Sequence, residues 1–204
     1  MSPQSTLFNT QGVIIGACLI ETNAFHRING ILKPDYFSPN YAKIFMAMQS
    51  LHELHRPIDI VTVCAYLSIG KTLDFNKQTF LNLASITNMV CSTANLVHHS
   101  LWLIEQYWQA KALQAIPNTK TIINLELAQT LDDLKAEINS PDYDILDSLT
   151  MIVENIQLCY PKDYHVYKNL IEVKRQMQLD VSQIEEILLE RGELKPKQSI
   201  NNLN

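Results

Sequence analysis

Glycine is scarce. The 204 residues hold only five, far fewer than the tight turns of a β-rich fold consume, and the shortage points to helices. A cysteine frame is missing too. Cys18, Cys64, Cys91 and Cys159 are widely scattered among apolar neighbours, with no CxxC pair. That spacing argues against a metal site or a disulfide framework and suits buried thiols in a reducing cytoplasm. No long apolar run occurs either. The longest, "VIIGACLI" (13–20), falls well short of the ~20 residues that span a bilayer. The twelve residues before it carry no Lys or Arg, so neither a membrane segment nor a secretory leader is expected. Positive charge is not in excess: the formal net charge is −5 and the pI about 5.6. A general polyanion-binding surface is therefore not advertised, although a local basic patch remains open. The hydrophobic fraction of 47% and charged fraction of 18% are those of an ordinary soluble globular chain.

A complete phosphate-binding loop is also lacking. "AYLSIGKTLDF" (65–75) ends in the Gly-Lys-Thr of such a loop. The pattern needs a first glycine five residues before Gly70, where two glycines let backbone N–H groups wrap a phosphate. Ala65 stands there instead, followed by Tyr66 and Leu67, which suit a helix. Gly70 then reads as the left-handed residue closing that helix, with Asp74 and Asn76 placed to cap the next one. "LTMIVEN", ending in Glu154, has the local look of a magnesium-holding strand but no partner loop. It fits an amphipathic helix equally well. Size agrees: each βαβ unit takes ~30 residues, and only 88 residues follow Ile116, too few for a nucleotide-driven motor core.

No other site chemistry stands out. His52 and His55 in "LHELH" lie about one helical turn apart, a spacing that can share a metal, but this is not the H-E-x-x-H zinc signature and no third ligand is evident. His98 and His99 are adjacent and point in different directions. Catalytic residues, cofactor and metal are all expected to be absent, and the chain is read as a non-enzyme.

The chain reads as all-α. Asn9 or Thr10 can cap a first helix through Val13, Ile14, Ala17 and Cys18. A short helix in "NAFHRINGI" stops near Gly30, and "LKPDYFSPN" is a loop broken by Pro34 and Pro39. Ser38-Pro39 is a helix start, after which Tyr41, Ile44, Phe45, Met48 and Leu51 keep helical spacing. "RPIDIVTVCAYL" is rich in β-branched residues, yet Asp59 as a cap and the spacing of Ile60, Val63, Cys64 and Leu67 favour a helix. "NKQTFLNLASI" makes another. Ser92 or Thr93 begins the longest helix, ended by Pro117, and "INLELAQTLDDLKAEI" is the returning arm of a hairpin. Three helices are expected beyond Pro141, at about 143–159, 163–178 and 180–191. This last segment carries 11 acidic and 7 basic residues, against 10 and 9 in residues 1–140, so the acidity is concentrated there.

The long helix carries a signal of its own. Val97, Leu101, Ile104 and Trp108 form one stripe, and Leu96, Leu103 and Tyr107 another, with "LWLI" (101–104) apolar all round. Such a helix buries more than one face, either deep in its own domain or against another chain. Leu96, Trp102, Leu103, Tyr107 and Trp108 are the candidate partner or dimer surface, with aromatic residues as anchors.

The order of these motifs resembles the N-terminal domain of DnaB-type replicative DNA helicases. The carrying fragments are "DYFSPNYAKIF" (35–45), "PIDIVTVCAYL" (57–67) and "STAN" (92–95), set between "GVIIGACLIETNAF" and a long helix with a hairpin return. The resemblance covers about residues 9–116 and, more loosely, the hairpin to about 139. It departs from the family in "NTQG" where an acidic, Ala-Glu-rich cap is usual, in Tyr41 where histidine is common, in "YWQAKAL" for an arginine-rich helix end, in a short-looking hairpin, and in lacking the ATPase motor. The resemblance implies a compact helical bundle over 1–116 that includes the first hairpin helix and a returning hairpin helix over 117–140; the acidic helical C-terminal appendage over 141–204, read from its own charge and spacing, lies outside it. It implies a non-catalytic, cytoplasmic interaction module of DNA replication that self-associates and docks a replicative helicase, primase or helicase loader; the altered hairpin puts the collar geometry and primase docking in question. Two alternatives stay open. One is a nucleic-acid-binding adaptor using a winged-helix-like segment (167–197), with a turn before a helix capped by Asp180. Its Lys168, Lys174, Arg175, Arg191, Lys195 and Lys197 are offset by Glu185, Glu186, Glu190 and Glu193. The other is a remnant of a truncated helicase.

Overall fold

The structure, a computed structural model, describes residues 3–140 and 143–194. Among the described residues the fold is all-α. In chain order the helices are α1 (Pro3–Ile20), α2 (Ala24–Ile28), α3 (Pro39–Glu53), α4 (Ile60–Leu67), α5 (Leu73–Thr87), α6 (Leu96–Ala115), α7 (Leu125–Ile138), α8 (Ile145–Cys159) and α9 (Tyr164–Glu190). Short 3-10 turns stand at Pro34–Tyr36, Thr119–Thr121 and Pro161–Asp163. One isolated bridge joins Asn29 and Leu32. The chain divides into two compact units, Met1–Ile104 and Glu105–Asn204, a different division from the one expected at 116 and 140.

In Met1–Ile104, α1 is the central element. From Gln11 to Leu19 every residue is buried except half-buried Val13, the condition of a helix enclosed on all sides. It starts at Pro3, earlier than the Asn9 or Thr10 cap expected. Gly12 and Gly16 make the enclosure possible. A Cβ on Gly16 would stand 2.6 Å from Val90 Cγ2 and 2.8 Å from the Ile86 carbonyl oxygen, and one on Gly12 would meet Met89 Sδ at 2.8 Å. Both glycines let α5 and the loop after it lie directly on α1. Phe25, Phe37 and Phe45 fill the other side, the last two stacked at 4.8 Å, with Phe25 and Phe45 at 5.6 Å. Each fully buried side chain of this size contributes about 1.5–3 kcal/mol.

Local signals set most helix ends, and tertiary contacts displace some. Asp59 caps α4 as expected: its carboxylate accepts from Thr62 N–H at 2.8 Å, and Thr62 Oγ1 accepts from Asp59 N–H at 3.1 Å, a reciprocal capping box. Ser38 precedes Pro39 as expected but does not cap α3 with its side chain. Its hydroxyl and its N–H both donate to Gln11 Oε1, at 2.9 and 3.0 Å. The cap of α5 is Thr72, which accepts from Phe75 N–H at 3.3 Å, in place of Asp74 or Asn76. Gly70 is left-handed (φ +72°), but α4 has already ended at Leu67. The glycine serves the turn closed by Lys71 N–H to the Ser68 carbonyl, 3.0 Å. "GKT" is thus a helix-to-helix turn, with Lys71 Nζ 5.9 Å over the Phe75 ring.

In Glu105–Asn204 the end of α6 assembles with α7, α8 and α9. The buried positions Leu127, Leu131, Leu134 and Ile138 of α7 and Ile145, Leu149, Val153 and Ile156 of α8 recur at helical steps, giving each helix one apolar stripe. Gln109 donates to the Ile138 carbonyl, and Thr119 to Asp132 Oδ1 at 2.8 Å. These two links join the end of α6 and the following turn to α7. The segment expected to hold two helices at 163–178 and 180–191 is one helix of 27 residues, α9, which is longer than α6. Asp180 caps nothing. It is 5% exposed within the stripe Met177–Ile184 and accepts from Trp108 Nε1 at 3.1 Å. A residue whose local chemistry favours a helix start is held mid-helix because a buried indole N–H satisfies it. With no break at Asp180, the turn required by the winged-helix-like reading is absent. Lys195 and Lys197 of that reading lie outside the described residues. Gly192 (φ +69°) closes α9, with Glu193 N–H to the Leu188 carbonyl at 2.9 Å and Gly192 N–H to Leu189 at 3.0 Å, a Schellman end.

Candidate functional site

The predicted surface lies on α6, and the structure separates its members. Leu96 and Leu103 are 1% exposed and Trp108 5%, whereas Trp102 and Tyr107 are partly open to solvent. Tyr107 stacks edge-on against Trp108 at 5.1 Å, and Lys111 Nζ lies 5.3 Å over the Tyr107 ring, a cation–π contact on the outer side. Buried Trp108 is occupied by Asp180. Of the "LWLI" run, Leu101, Leu103 and Ile104 are buried and Trp102 is the partly open member. Burial inside the chain therefore accounts for most of the apolar girth of α6, and two aromatic side chains remain toward solvent.

"STAN" has a physical role that its residues alone do not reveal. Arg27, the fourth residue of α2, donates to the Thr93 carbonyl at 3.2 Å and to the Ala94 carbonyl at 3.3 Å, and its guanidinium lies 4.0 Å from Glu21. Arg27 thereby fixes the segment leading into α6. Ser100 is fully buried and donates to the Leu96 carbonyl at 2.8 Å. Neither Arg27 nor Gln11 was legible as a structural partner, since each acts on residues far away in sequence. Gly12 and Gly16, four apart in a helical pattern, were the available sign of close helix approach. Tyr41, which departs from the usual histidine, places its hydroxyl 3.1 Å from where a Gly12 Cβ would stand, and burial pushes its pKa up.

The histidines are structural neighbours. The His52 ring packs 5.3 Å from Phe25 and 6.0 Å from His26. His55 sits just past the end of α3 with φ +52°, in a Schellman end closed by Arg56 N–H to the Leu51 carbonyl at 2.8 Å. His98 and His99 lie 5.8 Å apart, and burial followed by the His98 charge lowers the His99 pKa. Among the described residues no group of three or more His, Cys, Asp or Glu could hold a metal ion. Cys18 and Cys64 are buried, but Cys91 and Cys159, expected to be buried as well, are exposed, because one stands in the loop between α5 and α6 and the other at the last position of α8. Burial raises the Cys18 thiol pKa, with Glu21 adding to the shift; that is the setting of an inert thiol.

Residues 7–105 match the family described as DnaB-like helicase N terminal domain. This part of the chain belongs to that family. The domain is the non-motor part of such helicases, and its span coincides closely with the unit Met1–Ile104. A solved structure of a DnaB-like replicative helicase and its interactions with primase is similar at 22% identity and a TM-score of 0.46. The match covers 74% of this chain and 34% of that one, so the chain spans about a third of that protein's length. No curated protein matches the sequence. Among the described residues, no helix is long and apolar enough to cross a membrane.

Proposed function

We propose that this chain is a non-catalytic protein-interaction module of DNA replication, which associates with itself and docks a replicative helicase, primase or helicase loader. The observation that carries the reading is the coincidence of the family domain, residues 7–105, with one compact unit of the fold. A domain that is the non-motor part of the helicase is here joined to Glu105–Asn204, a unit of helices.

Within this reading Trp102 and Tyr107 are the anchors of the α6 surface. Leu96, Leu103 and Trp108 support them from inside. The test is light scattering on the eluting protein, alone and mixed with the host helicase and primase. A mass above that of one chain, or co-elution with either partner, is expected. A strict monomer that co-elutes with neither overturns the proposal.

A further inference from the structure

We propose that the groove between α3 and α5 is a docking site for an acidic amphipathic helix of a partner protein. The groove has a volume of about 500 Å³. Its apolar floor is made by Ile44 of α3, Leu67 of α4, and Phe75, Leu83 and Ile86 of α5. Asn40, Thr79, Asn82 and Ser85 supply a neutral, hydrogen-bonding rim. Two helices with an apolar trough between them make the geometry of helix-in-groove recognition, in which side chains spaced i, i+3, i+4 and i+7 fill the trough.

Charge selects the kind of helix. Lys43 is the one charged residue lining the groove, and it is exposed. The Lys71 ammonium lies 5.9 Å over the ring of Phe75, a floor residue. The carboxylates of Met1–Ile104 are Glu21, Asp35, Glu53, Asp59 and Asp74, and none of them lines the groove. A helix flanked by Glu or Asp pairs with Lys43 at the rim, whereas one flanked by Lys meets like charge there with no acid among the lining residues, Asp74 standing outside them next to Phe75. Complementarity of this type governs partner choice and association rate more than raw affinity. None of the lining residues is on α6, so the groove is distinct from the anchors Trp102 and Tyr107. The proposal rests on the reading of this chain as an interaction module and names the chemistry of one partner surface.

The test uses the full 204-residue chain and two blocked helical peptides. Both carry the same leucine ridge at i, i+3, i+4 and i+7; one has Glu flanks and the other Lys flanks. Amide chemical shifts are followed during titration. The Glu-flanked peptide is expected to move Tyr41, Lys43, Phe75 and Asn82, to weaken as salt rises, and to lose about tenfold in affinity with Lys43→Glu. The Lys-flanked peptide is expected to leave these amides unmoved. Equal binding of both peptides, no binding of the Glu-flanked one, or shifts confined to other surfaces overturns the proposal. If Lys43→Glu changes the self-association mass while the Glu-flanked peptide does nothing, the groove belongs to a second copy and the proposal is equally overturned. A chain that self-associates yet ignores the peptide sinks the groove alone and leaves the interaction-module reading standing.

Discussion

His55 holds a backbone conformation that L-residues avoid, with φ +52°. A non-glycine in this region costs about 1–2 kcal/mol from the contact of its Cβ with the carbonyl oxygen, which the Schellman end of α3 imposes. Glycine removes that strain but makes the unfolded chain more flexible, recovering part of the difference. His55→Gly is therefore expected to stabilise the chain by about 0.5–1 kcal/mol, read as a rise in the urea midpoint with unchanged slope. At the same scale, burial and then the Asp144 charge raise the Glu105 pKa above its ordinary 4.5. A raised carboxyl is favourable to folding in its protonated form, so that contribution is fully present below 4.5 and is lost as pH rises through the raised value. Glu105→Gln is expected to raise the melting temperature at neutral pH, with the gain fading as pH falls through the raised value and gone below 4.5. A gain that is the same at both pH values would show that charge is not its cause.

Among the elements, α1 and α9 depend most on contacts made far along the chain. Gly16 has no space for a methyl group because one neighbour is backbone, the Ile86 carbonyl at 2.8 Å. Gly16→Ala gains helix propensity but forces α5 away from α1, and overpacking of this kind costs about 1–3 kcal/mol. A net loss of stability in chemical unfolding is expected; a gain would mean that α5 yields freely. Continuity of α9 rests on the opposite circumstance. Asp180 is buried in mid-helix and remains there because Trp108, 72 residues away, donates to it. The helix-start character of Asp180 was legible in the sequence, as was the cap at Asp59. What separates the outcomes is distance: Thr62 is three residues from Asp59, so local chemistry decided that cap, while α9 was decided by a contact with no local trace.

For the whole molecule, the burial pattern of α6 separates stability from association. Leu103 is 1% exposed, and truncating such a residue costs about 2–5 kcal/mol. Trp102 and Tyr107 are partly open to solvent, so part of each ring is available to another chain. In the proposed interaction module, Leu103→Ala lowers the unfolding midpoint without changing association of the folded protein, while Trp102→Ala with Tyr107→Ala weakens self-association or partner binding under conditions where the variant is still folded. Light scattering and urea unfolding on the same samples check this. Loss of folding in the Trp102/Tyr107 variant, with association intact, would assign these rings to the core.

Helical class, most of the helix cores, the cap at Asp59, and kinship with the replicative-helicase domain were already determined by the order of residues, because caps, spacing and turn glycines act over a few neighbours. Tertiary structure alone decided that α1 is enclosed on nearly every side, that Gln11 takes the Ser38 hydroxyl, that Arg27 secures "STAN", and that α8 and α9 share one unit with α7 and the end of α6. Those outcomes depend on which distant side chains meet, and a buried polar group accepts whatever partner packing brings within hydrogen-bond reach.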